Sequence, residues 1–494
     1  MRRILKWIIR IVLGLLLLIV VVAGALWPPK PLTVPTQGIT LSGVTIVNPG
    51  GVRQPNSVIV VDAGRIAKIS PISPSAQTGT SSSDARYNGY FVLTGLIDMH
   101  THNPPPPANA DLQYFFLMYL SYGVTTIRDT GNNGFMLAMR KDVLDGKVAA
   151  PRIFTCGPIL DGDPPVWPFS RVVHNAAEGE RVVDGLAKQG VDFVKVYEHL
   201  TPDALAGIES AARRHNLPVV GHIPELIKFE DAHIDDVQHL TGVPVRPQRI
   251  ETKVSEIFAQ QANGWEALDD ARIKFIVDTS LAQHIAHTPT IVVNDRISRL
   301  YDFDAQLRDP VASMVPVWYP QIFWTSMVSR SPADTKQLID TTRLFRAQIP
   351  KMKLVVRRLD EAGVTVHVGT DTLNPFVVPG ESLHEEMRSF IDAAYTPEQV
   401  WAAATSGNGG SLPTTDLGTL KEGAPADFLI LKEDPTQNLD AFSTMTAVVA
   451  NGRLYTRDDL NAALLRYRKR FDNRVYRKTL MTIMRGLLAS RPRA

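Results

Sequence analysis

Two histidines one residue apart are the first chemistry this chain offers. In Asp98-Met99-His100-Thr101-His102, the alternation of a strand puts both imidazoles on one face and Thr101 on the other. Imidazoles so placed can bind one metal ion. His222, His239 and Asp371, the last in Gly369-Thr370-Asp371, each close a short candidate strand. In Phe193-Val194-Lys195-Val196-Tyr197 the valines share one face, while Lys195 and Tyr197 share the other. A buried ammonium is costly, so Lys195 needs either a carboxylate partner or a chemical change. Carboxylation by CO2 would make it an anionic oxygen ligand able to bridge two cations.

These residues need elements to bring them together. Apolar segments at Ile97–His102, Val124–Asp129, Ile153–Gly157, Asp192–Tyr197, Val219–His222, Asp236–His239, Thr288–Val293 and Thr365–Asp371 read as strands. Amphipathic helical patterns lie between them, for example at 112–121, 177–189, 202–215 and 384–394. Alternating strands and helices imply an α/β fold with a parallel sheet. Eight such units within 94–412 fit a (β/α)8 TIM barrel, whose chemistry sits at the C-terminal ends of its strands. The four histidines and Asp371 all fall at that end. The long piece 294–345 carries Trp318, Tyr319, Phe323 and Trp324, which read as helix core or as a lid over the site.

Short strands also flank the barrel, at Ile39–Val47, Ser57–Val61 and Arg65–Ile69 before it and at Ala426–Leu431 and Ala447–Val449 after it. Neither group is large enough for its own core. One small β-sandwich domain built from 36–93 and 413–457 is the economical solution.

Composition narrows the function. Among 494 residues there is one Cys, Cys156, which excludes an internal disulfide and any cysteine-rich metal site. The net charge of +2 hides a split: 31–452 holds 35 basic and 47 acidic residues, a net −12, while both ends are basic. An acidic body argues against nucleic acid as a partner. No G-x-G-x-x-G or P-loop pattern is present.

The ends suggest a membrane. Arg2, Arg3, Lys6 and Arg10 precede the apolar run Ile11–Trp27, so 1–31 reads as a transmembrane anchor with the body on the extracytoplasmic side, periplasmic in a bacterium. A signal peptide cleaved near Ala23-Gly24-Ala25 would instead secrete the body. At the other end, 458–494 reads as a basic amphipathic helix, with Leu460, Leu464, Tyr467, Phe471 and Val475 as its stripe. That stripe suits packing on the barrel or lying on anionic lipid.

Taken in order, the motifs resemble the amidohydrolase superfamily of metal-dependent hydrolases. The resemblance rests on Gly95–His102, Gly123–Asp129, Val194–Tyr197, Gln238-His239, Gly369–Asp371 and Gly418–Asp427, and spans about 90–430. Val-Lys-Val-Tyr on the fourth strand is similar to the prolidase-like, Xaa-Pro dipeptidase-type branch. The resemblance implies a binuclear centre. His100, His102 and Asp371 would hold one metal, His222 and His239 the other, and carboxylated Lys195 would bridge them. Tyr197 would bind the substrate carboxylate. The implied substrate is a dipeptide or N-acyl amino acid. Two passages depart from the family pattern: Asn103-Pro104-Pro105-Pro106-Pro107 and Ser406-Gly407-Asn408-Gly409-Gly410. Neither contains a proposed ligand.

The chemistry follows from those ligands. Two divalent cations lower the pKa of a bridging water, giving a hydroxide nucleophile. Asp371 takes its proton and passes it to the leaving amine. Imidazole and carboxylate suit zinc, with manganese, iron or cobalt as alternatives. Hydrolysis of lactones or cyclic amides on the same site is a rival reading. A non-catalytic, membrane-tethered scaffold is another. A homo-oligomer is compatible with the sequence.

Overall fold

The computed structural model describes residues 2–51, 53–72, 84–104, 111–131, 134–251, 254–325 and 332–489. Its centre is a barrel of parallel staves. Strands Leu96–Thr101, Val124–Asp129 and Arg152–Thr155 pair in one sheet. Strands Ile159–Asp161, Val194–Val196, Val219–Gly221, Asp236–Gln238 and Ala286–Thr288 pair in the other. The stretch expected as the last strand, Thr365–Asp371, is not a regular one. It still closes the barrel: His367 N donates to His287 O at 2.8 Å, and Met99 N donates to Val368 O at 3.1 Å. Asn408 stitches the same seam, its amide donating to Ile97 O and Val368 O, each at 2.8 Å. This is a role for the Asn of the departing Ser406–Gly410 passage.

The expected strand Thr288–Val293 is corrected. The strand is Ala286–Thr288, and Ile291–Ser298 is helix. Pro289 cannot donate to a ladder, and Thr290 turns the chain with φ of 45°. The buried Glu386 carboxylate then accepts the free N–H groups of Ile291 and Val292, at 2.9 and 2.6 Å.

The flanking strands join in one continuous seven-stranded sheet whose ends meet, Gly423 N donating to Ile66 O at 2.8 Å and Ile66 N to Ala424 O at 2.9 Å. Its order is Arg453–Thr456, Met445–Ala450, Phe428–Leu431, Phe91–Thr94, Ile39–Val47, Gln54–Asp62 and Arg65–Pro71. Phe91–Thr94 joins the two halves, antiparallel to Phe428–Leu431 and parallel to Ile39–Val47. One face of the sheet packs on the barrel, and the other packs on itself. Val47, Leu93, Leu429 and Val448 belong to the barrel-side core, while Leu41, Ile46, Phe428 and Ile430 form a second core on the other face.

The ends of the chain need a correction. The N-terminal run forms the helix Arg2–Leu26, several of whose side chains lie outside the described residues. Among the described residues no helix is long and apolar enough to cross a membrane, so the expected transmembrane anchor is not supported. The end of this helix is tied to the body, with Arg470 Nη2 donating to Leu26 O at 2.5 Å. The expected C-terminal helix breaks at Asp472-Asn473 into Arg457–Phe471 and Arg474–Ala489. Leu460, Leu464, Tyr467 and Phe471 are buried in the barrel-side core, so this stripe is occupied by protein. Trp318, Tyr319 and Trp324 are buried too, as core rather than as an open lid.

Candidate metal centre

Each functional side chain sits where a stave ends. His100 and His102 project from Leu96–Thr101 and the residue after it. Asp371 comes across the closing seam, in a left-handed conformation with φ of 63°. The seam is tight there, since a Cβ on Gly369 would lie 2.8 Å from His100 N. Asp98 locks the two passages together. Its buried carboxylate accepts His100 N at 3.1 Å, Thr370 N at 3.0 Å and Thr370 Oγ1 at 2.7 Å. His239, with φ of 57°, and Thr290 are also left-handed. Non-glycine residues held this way mark positions that the surrounding structure over-determines, often functional ones.

The resulting cluster is compact. His100 Nε2 and His102 Nε2 lie 3.4 Å apart. Asp371 Oδ1 lies 3.4 Å from the first and 3.2 Å from the second. Ligand atoms about 2.0–2.1 Å from a tetrahedral zinc stand roughly 3.3–3.4 Å from one another, so this triangle fits one ion. His239 Nε2 faces the other carboxylate oxygen, Asp371 Oδ2, at 3.6 Å. The His239 ring lies 4.6 Å from that of His100 and 4.8 Å from that of His222. His222 Nε2 is buried without a hydrogen-bond partner among the described residues. A lone pair left so is suited to a metal.

Electrostatics favour the ligand form. Burial pushes His100 well below its ordinary value, with the Lys195 charge adding to the effect. Burial likewise lowers His222 to about 4 and His239 to about 3. All three are therefore neutral imidazoles near pH 7. Lys195 is 1% exposed and donates to Gln238 Oε1. Burial lowers its ammonium to about 8. No carboxylate forms an ion pair with it among the described residues. Tyr197 packs its ring 4.1 Å from that of His222.

The structure thus gathers His100, His102, Lys195, Tyr197, His222, His239 and Asp371 at one mouth. Of the proline-rich departure, Pro105–Pro107 lie outside the described residues. Several supporting residues were not legible. Glu198 Oε1 holds His222 Nδ1 at 2.5 Å, and Arg246 lies 3.4 Å from Glu198 Oε2. Burial pushes Glu198 up, but Arg246 and His222 outweigh it and hold the carboxyl down at about 2. Thr290 Oγ1 holds His239 Nδ1 at 2.6 Å, and Gly131 O faces His102 Nδ1 at 3.2 Å. Such partners fix which ring nitrogen stays free for a metal. A Glu one residue beyond Val-Lys-Val-Tyr was the only sequence signal for them.

A parallel barrel with imidazoles and a carboxylate converging at its C-terminal mouth defines a metal-dependent hydrolase class of site. Residues 91–455 match the amidohydrolase family, and the chain belongs to it. Members of that family generally bind metal and hydrolyse carbon–nitrogen bonds, and this chain is such a hydrolase. Solved structures share its fold. Bottromycin amidohydrolase is 22% identical, with a TM-score of 0.66 over 91% of this chain and 96% of that one. A Xaa-Pro dipeptidase with bound methionine is 18% identical, with a TM-score of 0.61 over 85% and 100%. A prolidase complexed with N-methylphosphonate-L-proline is 17% identical, with a TM-score of 0.59 over 85% and 99%. No curated protein sequence matches the chain.

Proposed function

We propose that this amidohydrolase cleaves the amide bond of a dipeptide or an N-acyl amino acid. His100, His102 and Asp371 would hold one divalent cation, His222 and His239 would hold a second, and Lys195, once carboxylated by CO2, would add an anionic oxygen donor. Zinc suits this donor set best, with manganese, iron or cobalt as substitutes. When bound, such ions supply Lewis acidity at the scissile carbonyl and an acidified water. The triangle of His100 Nε2, His102 Nε2 and Asp371 Oδ1, with edges of 3.2–3.4 Å, carries the reading.

The protein's own groups do the rest. Asp371 turns Oδ1 toward His100 and His102 and Oδ2 toward His239, so its carboxylate lies among all three. It takes the proton of the attacking water and returns it to the leaving amine. The neutral imidazoles add no positive charge of their own to the site. Tyr197, beside His222, receives the substrate carboxylate. Matching prolidase and dipeptidase folds support the substrate class.

A hydrolysis screen of the zinc- or manganese-loaded chain tests this reading. Dipeptides, N-acyl amino acids and lactones are compared at equal concentration. Turnover of the first or second group is expected. Turnover of lactones alone overturns the amide assignment, and no turnover of any overturns the substrate class.

A further inference from the structure

The loop that follows Ile159–Asp161 carries Val166-Trp167-Pro168-Phe169 beside the cluster. It is held in place from below. Buried Asp161 accepts Gly162 N at 2.9 Å and Val166 N at 2.8 Å from the loop, and His199 N at 2.9 Å from beyond the Lys195 strand. His199 Nδ1 also meets Pro164 O. A loop fixed at this many points presents its side chains in a set position.

What it presents is apolar. The Trp167 and Phe169 rings lie 5.8 Å apart and within 17° of parallel. Phe169 is 46% exposed, and Val166 is also exposed. The inner end of this wall is polar, because Trp167 Nε1 donates to Tyr197 OH at 3.0 Å. An indole N–H can only donate, so the Tyr197 hydroxyl accepts there and keeps its own proton to give elsewhere. No acceptor for that proton is found among the described residues. The Tyr197 ring in turn lies 4.1 Å from that of His222. A hydroxyl donor next to the metal centre therefore adjoins an aromatic wall open to water.

We propose that Trp167 and Phe169 form the subsite for an apolar side chain of the substrate, and that Trp167 aims the Tyr197 proton at the substrate's carboxylate. The proposal rests on the amidohydrolase reading above and adds the class of side chain: aliphatic or aromatic rather than small or charged. An apolar group laid on the wall leaves water together with Phe169, which favours larger side chains over glycine. Trp167 is a positioning residue for Tyr197 as well as part of the wall.

Equilibrium binding of free amino acids by calorimetry tests this without requiring turnover. The metal-loaded full chain is titrated with glycine, leucine and phenylalanine, which share one carboxylate and differ in side chain. Leucine and phenylalanine are expected to bind about tenfold or more tightly than glycine, within the 10–200-fold range of apolar pockets. Phe169→Ala lowers phenylalanine affinity about tenfold more than glycine affinity. Trp167→Phe keeps much of the wall but loses the donor to Tyr197, so it weakens all three ligands by a similar factor. Elemental analysis checks that metal content is retained in both variants. Equal affinity for the three amino acids, a preference that survives Phe169→Ala, or no binding of phenylalanine overturns the proposal. Selective binding without amide hydrolysis instead keeps the subsite and removes the amide reading.

Discussion

The side chains at the barrel mouth divide into those that would touch metal and those that hold them. Asp371→Asn keeps the shape but removes the carboxylate's capacity to take a proton. We predict a kcat lowered by about 10²–10⁴ with metal largely retained. Wild-type turnover in that variant would contradict the proton role. Lys195→Ala should lose the metal pair, and recovery of activity with an added short carboxylic acid would support a carbamate. Glu198→Ala frees His222 Nδ1 and should weaken metal binding about 10–100-fold. Glu198→Gln, which can still accept from Nδ1, should recover part of that loss. Competition with a chelating dye measures both, and an unchanged affinity in Glu198→Ala would remove Glu198 from this role. The ligand candidates were legible because strand alternation puts His100 and His102 on one face and because His222, His239 and Asp371 end candidate strands. Glu198 was not, since its partner lies 24 residues away across a helix. Thr290 was hidden by the strand expected over it.

At the scale of elements, the barrel is held by contacts that hydrophobic periodicity does not record. The staves were legible from their apolar runs, except where a proline and a left-handed residue ended one early at Thr288. The closing seam was less so, because Asn408 and isolated backbone bonds do the work of a regular strand. The C-terminal stripe was legible, but its partner was not. Arg470 Nη1 reaches buried Asp111 Oδ1 at 2.8 Å, and Tyr476 OH donates to Asp111 Oδ2 at 2.6 Å. Asp111 precedes the helix Leu112–Ser121, the first after the paired histidines. The C-terminal helices thus clamp the start of that helix. Arg470→Ala strands a buried carboxylate and should cost about 3–5 kcal/mol. Urea unfolding reads this directly, and a loss below about 1 kcal/mol would mean that the clamp carries little.

At the scale of the whole molecule, acid should loosen the fold through its buried histidines. His287 is fully buried, bonded to Ser280 Oγ at 2.9 Å, and lowered by burial from 6.5 to about 4. His384 is lowered to about 4 for the same reason. A histidine depressed in the folded state contributes stability above its unfolded value, and that stability is lost as pH falls from 6.5 toward 4. The drop in stability between pH 7 and pH 4.5 should be about 2 kcal/mol smaller in His287→Asn than in the wild type. Equal drops in the two proteins would contradict the assignment. Burial also lowers His222 to about 4 and His239 to about 3, so the difference between proteins, not the total slope, isolates His287. Both covered faces of the seven-stranded sheet also belong to this scale. Strand propensity revealed the flanking strands, but that the two ends of one sheet would share a core depends on contacts distant in sequence.

The central claim is that the imidazoles, Asp371 and Lys195 at this mouth form one binuclear site. Elemental analysis of the chain purified without chelators tests it most directly. The account predicts about two equivalents of divalent metal per chain, falling to one or none in Lys195→Ala. One equivalent or none in the wild type, unchanged after incubation with zinc and bicarbonate, would contradict it.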